Sequence, residues 1–71
     1  MSEEINKHYG VVKTFDSFKG FGFITRDKGK DVFFFYGEIV HEDKYLTPGD
    51  KVHFEIRNMD KGPRAFAIHK L

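Results

Sequence analysis

Four phenylalanines fall on matching positions of two short segments, and lysines flank both segments. In extended chain, where side chains alternate between two faces, Phe21 and Phe23 share one face of one strand, and Phe33 and Phe35 share one face of the next. Flat rings in a row can stack on unpaired nucleobases, at about 1–3 kcal/mol per base, and nearby lysines can contact phosphates. These residues predict a surface that binds single-stranded nucleic acid.

The opposite faces of the same segments indicate which side is buried. Gly20 and Gly22 share their face with Ile24, which is typical of a tightly curved strand that turns its rings outward. The remaining apolar positions already fill a small interior. The predicted core is Val12, Ile24, Val32, Phe34, Val52, Phe54, Ile56, Phe66 and Ile68. An exposed apolar patch then marks a binding surface. The competing interpretation, in which the four rings are core and the lysines are ordinary surface charges, stays open.

The elements that must position these rings are strands. No helical period recurs, whereas short apolar or alternating runs are separated by Gly, Pro, Asp and Asn. The predicted strands cover residues 9–15, 20–25, 31–36, 51–57 and 64–70, with a turn over 58–63 and a long connection over 37–49 that holds one helical turn near residues 37–39. This all-β pattern predicts a five-stranded antiparallel Greek-key barrel of the OB-fold type. An SH3-like barrel is the alternative with the same strand count.

Length and composition restrict the classes of protein further. Seventy-one residues predict a single domain, residues 1–71, in which we expect residues 1–7 to form a flexible N-terminal extension. The absence of cysteine excludes disulfides and thiol catalysis. The chain contains no long apolar stretch, so the sequence predicts neither a membrane span nor a signal peptide. We therefore expect a cytoplasmic protein that does not bind membranes.

The charges are unevenly distributed along the chain. The formal net charge is only +1, but residues 1–30 and 51–71 are basic, whereas residues 31–50 carry five acids and one lysine. The two ends of the chain can therefore form a basic face, with the acidic segment turned away from it. Scattered solvated charge is the alternative interpretation.

Catalysis has little support in the sequence. The four histidines, at positions 8, 41, 53 and 69, have no short metal-ligand spacing, and Asp31 has no second carboxylate suited to magnesium. We therefore expect no enzyme activity, catalytic residue, metal, cofactor or small-molecule substrate.

Two motifs resemble those of a known family. The run KGFGFI at residues 19–24 resembles the first ribonucleoprotein motif of the cold-shock domain of bacterial cold-shock proteins, and DVFFFY at residues 31–36 resembles the second. Similar segments at residues 10–15, 46–55 and 61–65 extend the likeness over about residues 8–70. The resemblance implies an OB-type barrel that binds single-stranded RNA and DNA with low sequence specificity, and an RNA chaperone role in the cold-shock response or in gene regulation.

The resemblance also implies particular site residues. The expected stacking platform is Phe15, Phe21, Phe23, Phe33, Phe35 and Tyr36, with Tyr45 as an aromatic of the long loop. Lys13, Lys19 and Lys61 are expected near phosphates, and Asp31 is expected to accept hydrogen bonds from a base edge. From its position in the last turn, Arg64 is a further candidate for phosphate contact.

The chain departs from the family at three kinds of position. Thr14 stands where the family usually has Trp, and Phe18 either compensates for that ring or folds back onto its loop. Phe35 replaces a His. Phe34 and Phe66 replace smaller residues, so either the interior is repacked or one ring lies outside.

A protein-interaction barrel is the alternative function. In that case the phenylalanine patch would meet a partner's apolar surface. The flanking lysines favour nucleic acid, and we expect a monomer.

Overall fold

The computed structural model describes residues 6–42 and 44–71. Most of the expected N-terminal extension, residues 1–5, lies outside the described residues. At the start of the described chain, the Asn6 side chain donates a 2.9 Å hydrogen bond to the carbonyl of Ile56. It also accepts a 2.9 Å hydrogen bond from the backbone N–H of Ile56. Asn6 is thereby joined to the barrel.

The described residues form a closed five-stranded barrel, which confirms the predicted fold class. Its elements are β1 (His8–Asp16), β2 (Phe21–Arg26), β3 (Val32–Phe35), a 3₁₀ turn (Tyr36–Glu38), β4 (Lys51–Met59) and β5 (Gly62–Lys70). The strand order around the barrel is β1-β2-β3-β5-β4. Neighbours pair antiparallel except β3 and β5, which close the barrel through a parallel bridge between Phe33 and Arg64.

The last hairpin is longer than predicted. β4 continues through Met59 and β5 begins at Gly62, so the turn consists of Asp60 and Lys61 rather than residues 58–63. In the described part of the chain, no helix is long and apolar enough to cross a membrane.

The core matches most of the predicted interior. Its buried side chains are Val12, Ile24, Val32, Phe34, Ile39, Leu46, Val52, Phe54, Ala65 and Ile68. Gly22 makes room for Phe34, one of the two buried phenylalanines, because a Cβ at this position would overlap the carbonyl oxygen of Thr14 and lie 2.9 Å from the Phe34 ring. The interior therefore accommodates Phe34 with a glycine facing the ring.

A bulge in β1 changes which residues face inward. The register with β2 shifts between Val12 and Thr14, so that Thr14 pairs with Phe23 on the outer face and Phe15 pairs with Gly22 on the inner face. Phe15 is half-buried and packs against the core.

A second irregularity corrects the prediction that Phe66 faces inward. The register of β4 and β5 shifts between His53 and Glu55, and Ala67 takes a φ of 53°. One extra residue in β5 keeps Ala65 and Ile68 buried and leaves Phe66 outside the core. The large ring at this position thus lies outside the barrel.

Candidate nucleic-acid interface

Four rings of β2 and β3 form one contact network, the four-ring cluster (Phe21, Phe23, Phe33 and Phe35). Phe33 is its centre: its centroid lies 5.5 Å from that of Phe21 in a stacked arrangement, and 5.6 Å and 4.7 Å from those of Phe23 and Phe35 in edge-to-face arrangements. The pairing of β2 with β3 sets Phe21 opposite Phe35 and Phe23 opposite Phe33, which brings the rings together.

The cluster is accessible to solvent. Phe23 and Phe35 are 37% and 41% exposed, and Phe21 and Phe33 are half-buried by their neighbours. Phe34, between Phe33 and Phe35 in the chain, is fully buried, so the predicted strand faces are correct. The arrangement offers an apolar, aromatic surface to a ligand with flat faces.

Arg64 lies between two rings at the edge of the cluster. The guanidinium carbon is 4.4 Å from the ring centroid of Phe35 and 4.9 Å from that of Phe66. The Nε atom of Arg64 is buried and has no hydrogen-bond partner. Arg57 lies over the Phe66 ring at 4.6 Å, so that rings and guanidinium groups alternate here. One face of Phe35 is consequently covered by Arg64 rather than free to stack on a base.

A groove of about 830 Å³ runs between the four-ring cluster and the β4–β5 turn. Its lining includes Phe23, Phe33, Phe35, Met59, Lys61 and Arg64. The sequence predicted Lys61 and Arg64 as site residues, and the fold brings both beside the rings. Asn58 and Met59 also line the groove but were not predicted, because their position depends on how far β4 extends and no local pattern marks the end of that strand.

Two other predicted residues bind each other. Lys13 Nζ donates a hydrogen bond of 2.9 Å to the Asp31 carboxylate, and both side chains are partly exposed. Exposed ion pairs contribute about 0–1 kcal/mol, so a ligand can separate them at small cost. Lys13 can then meet a phosphate and Asp31 a base edge.

The loop before β2 has a defined shape. The Asp16 carboxylate accepts hydrogen bonds of 3.0 Å from the backbone N–H groups of Phe18 and Lys19. Phe18 is 96% exposed, so its ring does not fold back onto the loop. Lys19 is exposed as well. Gly20 has a φ of 81°, and the exposed Tyr36 ring lies against it.

Two predicted stacking residues pack against each other. The Phe15 ring stacks on the core ring of Phe34, with centroids 5.7 Å apart, and meets Tyr45 edge-to-face at 5.5 Å. Among the described residues, no ring contact joins Phe15 to the four-ring cluster. Phe15 therefore lies beside the core ring of Phe34 rather than in the cluster.

Three histidines that are distant in sequence meet on β4 and β5. His53 and His69 stack with centroids 4.6 Å apart, and His41 meets His69 edge-to-face at 6.4 Å. Burial lowers the pKa of His53 below its usual 6.5, and the charges of Lys7 and His69 lower this pKa further. Residues 6–42 and 44–71 contain no group of three or more metal-ligating side chains arranged to hold a metal ion.

Comparisons with known proteins agree with this geometry. Residues 8–71 match the model of the "'Cold-shock' DNA-binding domain" family. The chain is 53% identical to a cold shock-like protein of Thermotoga maritima over 79% of this chain and 86% of the relative. It is 50% identical to the cold shock-like protein CspI of Escherichia coli K12, over 89% and 93%. It is also 43% identical to the major cold shock protein of Streptococcus pyogenes serotype M18, over 87% and 94%.

A solved structure shows the same fold. The structure described as Drosophila Unr CSD456 superposes with a TM-score of 0.78 at 21% identity, over 92% of this chain and 26% of that one. The family match covers nearly the whole chain, and the relatives match over most of their length. The chain therefore belongs to the cold-shock domain family of nucleic-acid-binding domains.

Proposed function

We propose that this protein binds single-stranded RNA and DNA with low sequence specificity. The observation that carries the proposal is the four-ring cluster, in which half-exposed phenylalanine rings lie in contact on an outer face of the barrel. Unpaired bases of any sequence have a face that can stack on such rings, whereas a duplex hides these faces.

Basic side chains beside the rings supply the contacts with phosphates. Lys61 lines the same groove as the cluster, and the exposed Lys19 precedes β2. With two to four phosphate contacts, the slope of log K against log salt should be about −1.5 to −3, since each contact on a single strand contributes about −0.7. The modest formal charge of +1 agrees with a shallow slope and with binding dominated by stacking.

The same binding mode supports an RNA chaperone role. A protein that binds only unpaired strands lowers the free energy of the open form of an RNA hairpin, and this shifts the equilibrium towards melting. No catalytic step is needed, so we propose a binding protein without enzyme activity that acts as a monomer in the cytoplasm.

Fluorescence anisotropy tests the proposal directly. A labelled oligo-dT of about eight nucleotides, within the usual site size of an OB fold, is titrated beside an equally long duplex and an oligo-U at several salt concentrations. We expect the two single strands to bind and the duplex not to bind.

The protein-interaction alternative makes opposite predictions. It requires a dimer or a protein complex in sedimentation and no binding of single strands. A salt slope much steeper than −3 would also contradict the stacking mechanism, because it would mean that phosphate contacts dominate.

A further inference from the structure

We propose that Arg64 reads the edge of a base, and that it selects bases with two adjacent hydrogen-bond acceptors, guanine and cytosine, over thymine, uracil and adenine. The inference rests on the proposed binding of single strands and adds a sequence preference to it. It follows from how the rings on either side hold the guanidinium group.

Two aromatic rings pack against the Arg64 guanidinium. Phe35 covers it at 4.4 Å and Phe66 at 4.9 Å, and these distances are within the range of cation–π contacts. Phe35 therefore cannot offer the covered face of its ring to a base. The N–H donors lie along the edge of the planar guanidinium, where they can bind the acceptors of a ligand.

The guanidinium has unused donor capacity. Nε of Arg64 is buried without a hydrogen-bond partner, and within the described residues no carboxylate lies within ion-pair distance of the group. Because Nε is buried, a base edge meets the two Nη groups, which carry four of the five N–H donors. A guanidinium has five N–H donors and no acceptor, so it binds only to acceptors. A ligand that supplies two acceptors side by side matches its fork-like geometry.

The backbone holds Arg64 in a fixed position beside the exposed rings. Arg64 pairs with Phe33 across the bridge that closes the barrel and with Arg57 on β4. The groove next to it is lined by Phe23 and Phe33. A base stacked on these two rings lies in the same groove as the guanidinium, so its edge can meet the Arg64 donors.

The acceptor patterns of the bases determine the preference. Guanine has the adjacent acceptors O6 and N7, and an arginine paired with these two atoms is the commonest specific contact with a base. Unpaired cytosine has O2 beside N3. Thymine and uracil place an N–H between their two oxygens, and adenine places an amino donor beside N7 or N1. Only guanine and cytosine thus accept both donors of the fork.

Phe35 and Phe66 are positioning residues in this arrangement. Each packs against the guanidinium, and Phe66 reaches it because the irregularity at Ala67 keeps the ring outside the core. In this arrangement the covered face of the Phe35 ring orients Arg64 and does not stack on a base.

The test measures the affinity for oligo-dT and for the same strand with one central guanine, cytosine or adenine. We expect the guanine and cytosine strands to bind roughly fivefold or more tightly than oligo-dT, and the adenine strand not to gain affinity. In Arg64→Gln the gain should disappear. Arg57→Gln is the matched control, because it also removes one positive charge beside Phe66. The Arg57 side chain is paired with Glu55 and does not line the groove, so we expect the base preference to be unchanged in this variant.

Arg64→Lys separates base reading from charge. It keeps the charge but lacks the planar fork, so we expect the guanine and cytosine preference to be lost while the salt slope stays the same. Thermal unfolding of each variant verifies that it is folded at the temperature of the binding assay.

Several outcomes would overturn the inference. Equal affinity of the wild type for all four strands would do so. A uniform loss of affinity in Arg64→Gln, with a smaller salt slope, would identify Arg64 as a phosphate contact. If oligo-dT and the substituted strands all fail to bind, the proposed function itself is wrong, and this result is distinct from binding without preference.

Discussion

Phe33 and Phe34 are neighbours in β3 with the same side chain on opposite faces, so truncation of each to alanine separates binding from folding. Phe33 lies in the four-ring cluster, where a base can reach it, and Phe34 is fully buried in the core. We expect Phe33→Ala to weaken the binding of single strands while the protein stays folded. Phe34→Ala should instead unfold most of the protein.

The structure sets the size of both effects. Loss of one stacking ring costs about 1–3 kcal/mol per base, or roughly 5- to 150-fold in affinity. Phe33 contacts three half-exposed rings, so we expect its truncation to cost about 1–2 kcal/mol of stability. Truncation of the buried Phe34 costs about 3–5 kcal/mol, which is comparable to the whole stability of a domain of this size without disulfides.

Urea unfolding followed by circular dichroism gives the stabilities, and anisotropy with oligo-dT gives the affinities at a temperature where Phe33→Ala is folded. Phe34→Leu is the control, because it retains most of the buried apolar volume and leaves the outer face unchanged. Unfolding of Phe33→Ala as severe as that of Phe34→Ala would mean that the strand faces are reversed. Wild-type affinity in folded Phe33→Ala would refute its role in stacking.

Three further predictions concern stability and affinity. Gly22→Ala should lower the free energy of unfolding by about 3 kcal/mol in urea titrations, because its Cβ meets the Phe34 ring, and an unchanged midpoint would contradict this packing. Melting temperatures should fall as the pH is lowered from about 7.5 to about 5.5, because the pKa of His53 is lower in the folded protein than in the unfolded chain, which therefore binds more protons. His53→Gln should flatten this dependence, and equal slopes for the two proteins would exclude His53 as its cause. Thr14→Trp, on the outer face beside Phe23, should tighten oligo-dT binding about fivefold or more, whereas unchanged affinity would mean that no base reaches this position.

Much of the fold and of the ring surface could be predicted because the sequence signals are local. Alternation along β2 and β3 correctly separates the exposed face from the buried one, since each side chain in a regular strand points to the face opposite that of its neighbour. The glycine at position 22 marks the space that Phe34 fills.

The wrong or missing parts depend on irregular pairing and on contacts distant in sequence. Strict alternation through β5 predicts Phe66 on the inner face, but Ala67 takes a left-handed φ that no glycine or asparagine signals. The contact of Arg64 with Phe35 arises only when β3 and β5 close the barrel. The stacked pair His53 and His69 likewise requires the β4–β5 register.

The central claim is that unpaired bases stack on the rings of β2 and β3. An NMR titration with oligo-dT, and separately with a duplex of equal length, measures this contact at the ring protons of Phe21, Phe23 and Phe33 and uses the buried Phe54 as an internal reference. We expect large shifts of the three cluster rings with the single strand, small shifts of Phe54 and no change with the duplex. Binding of the single strand that leaves the cluster rings unshifted would contradict the claim.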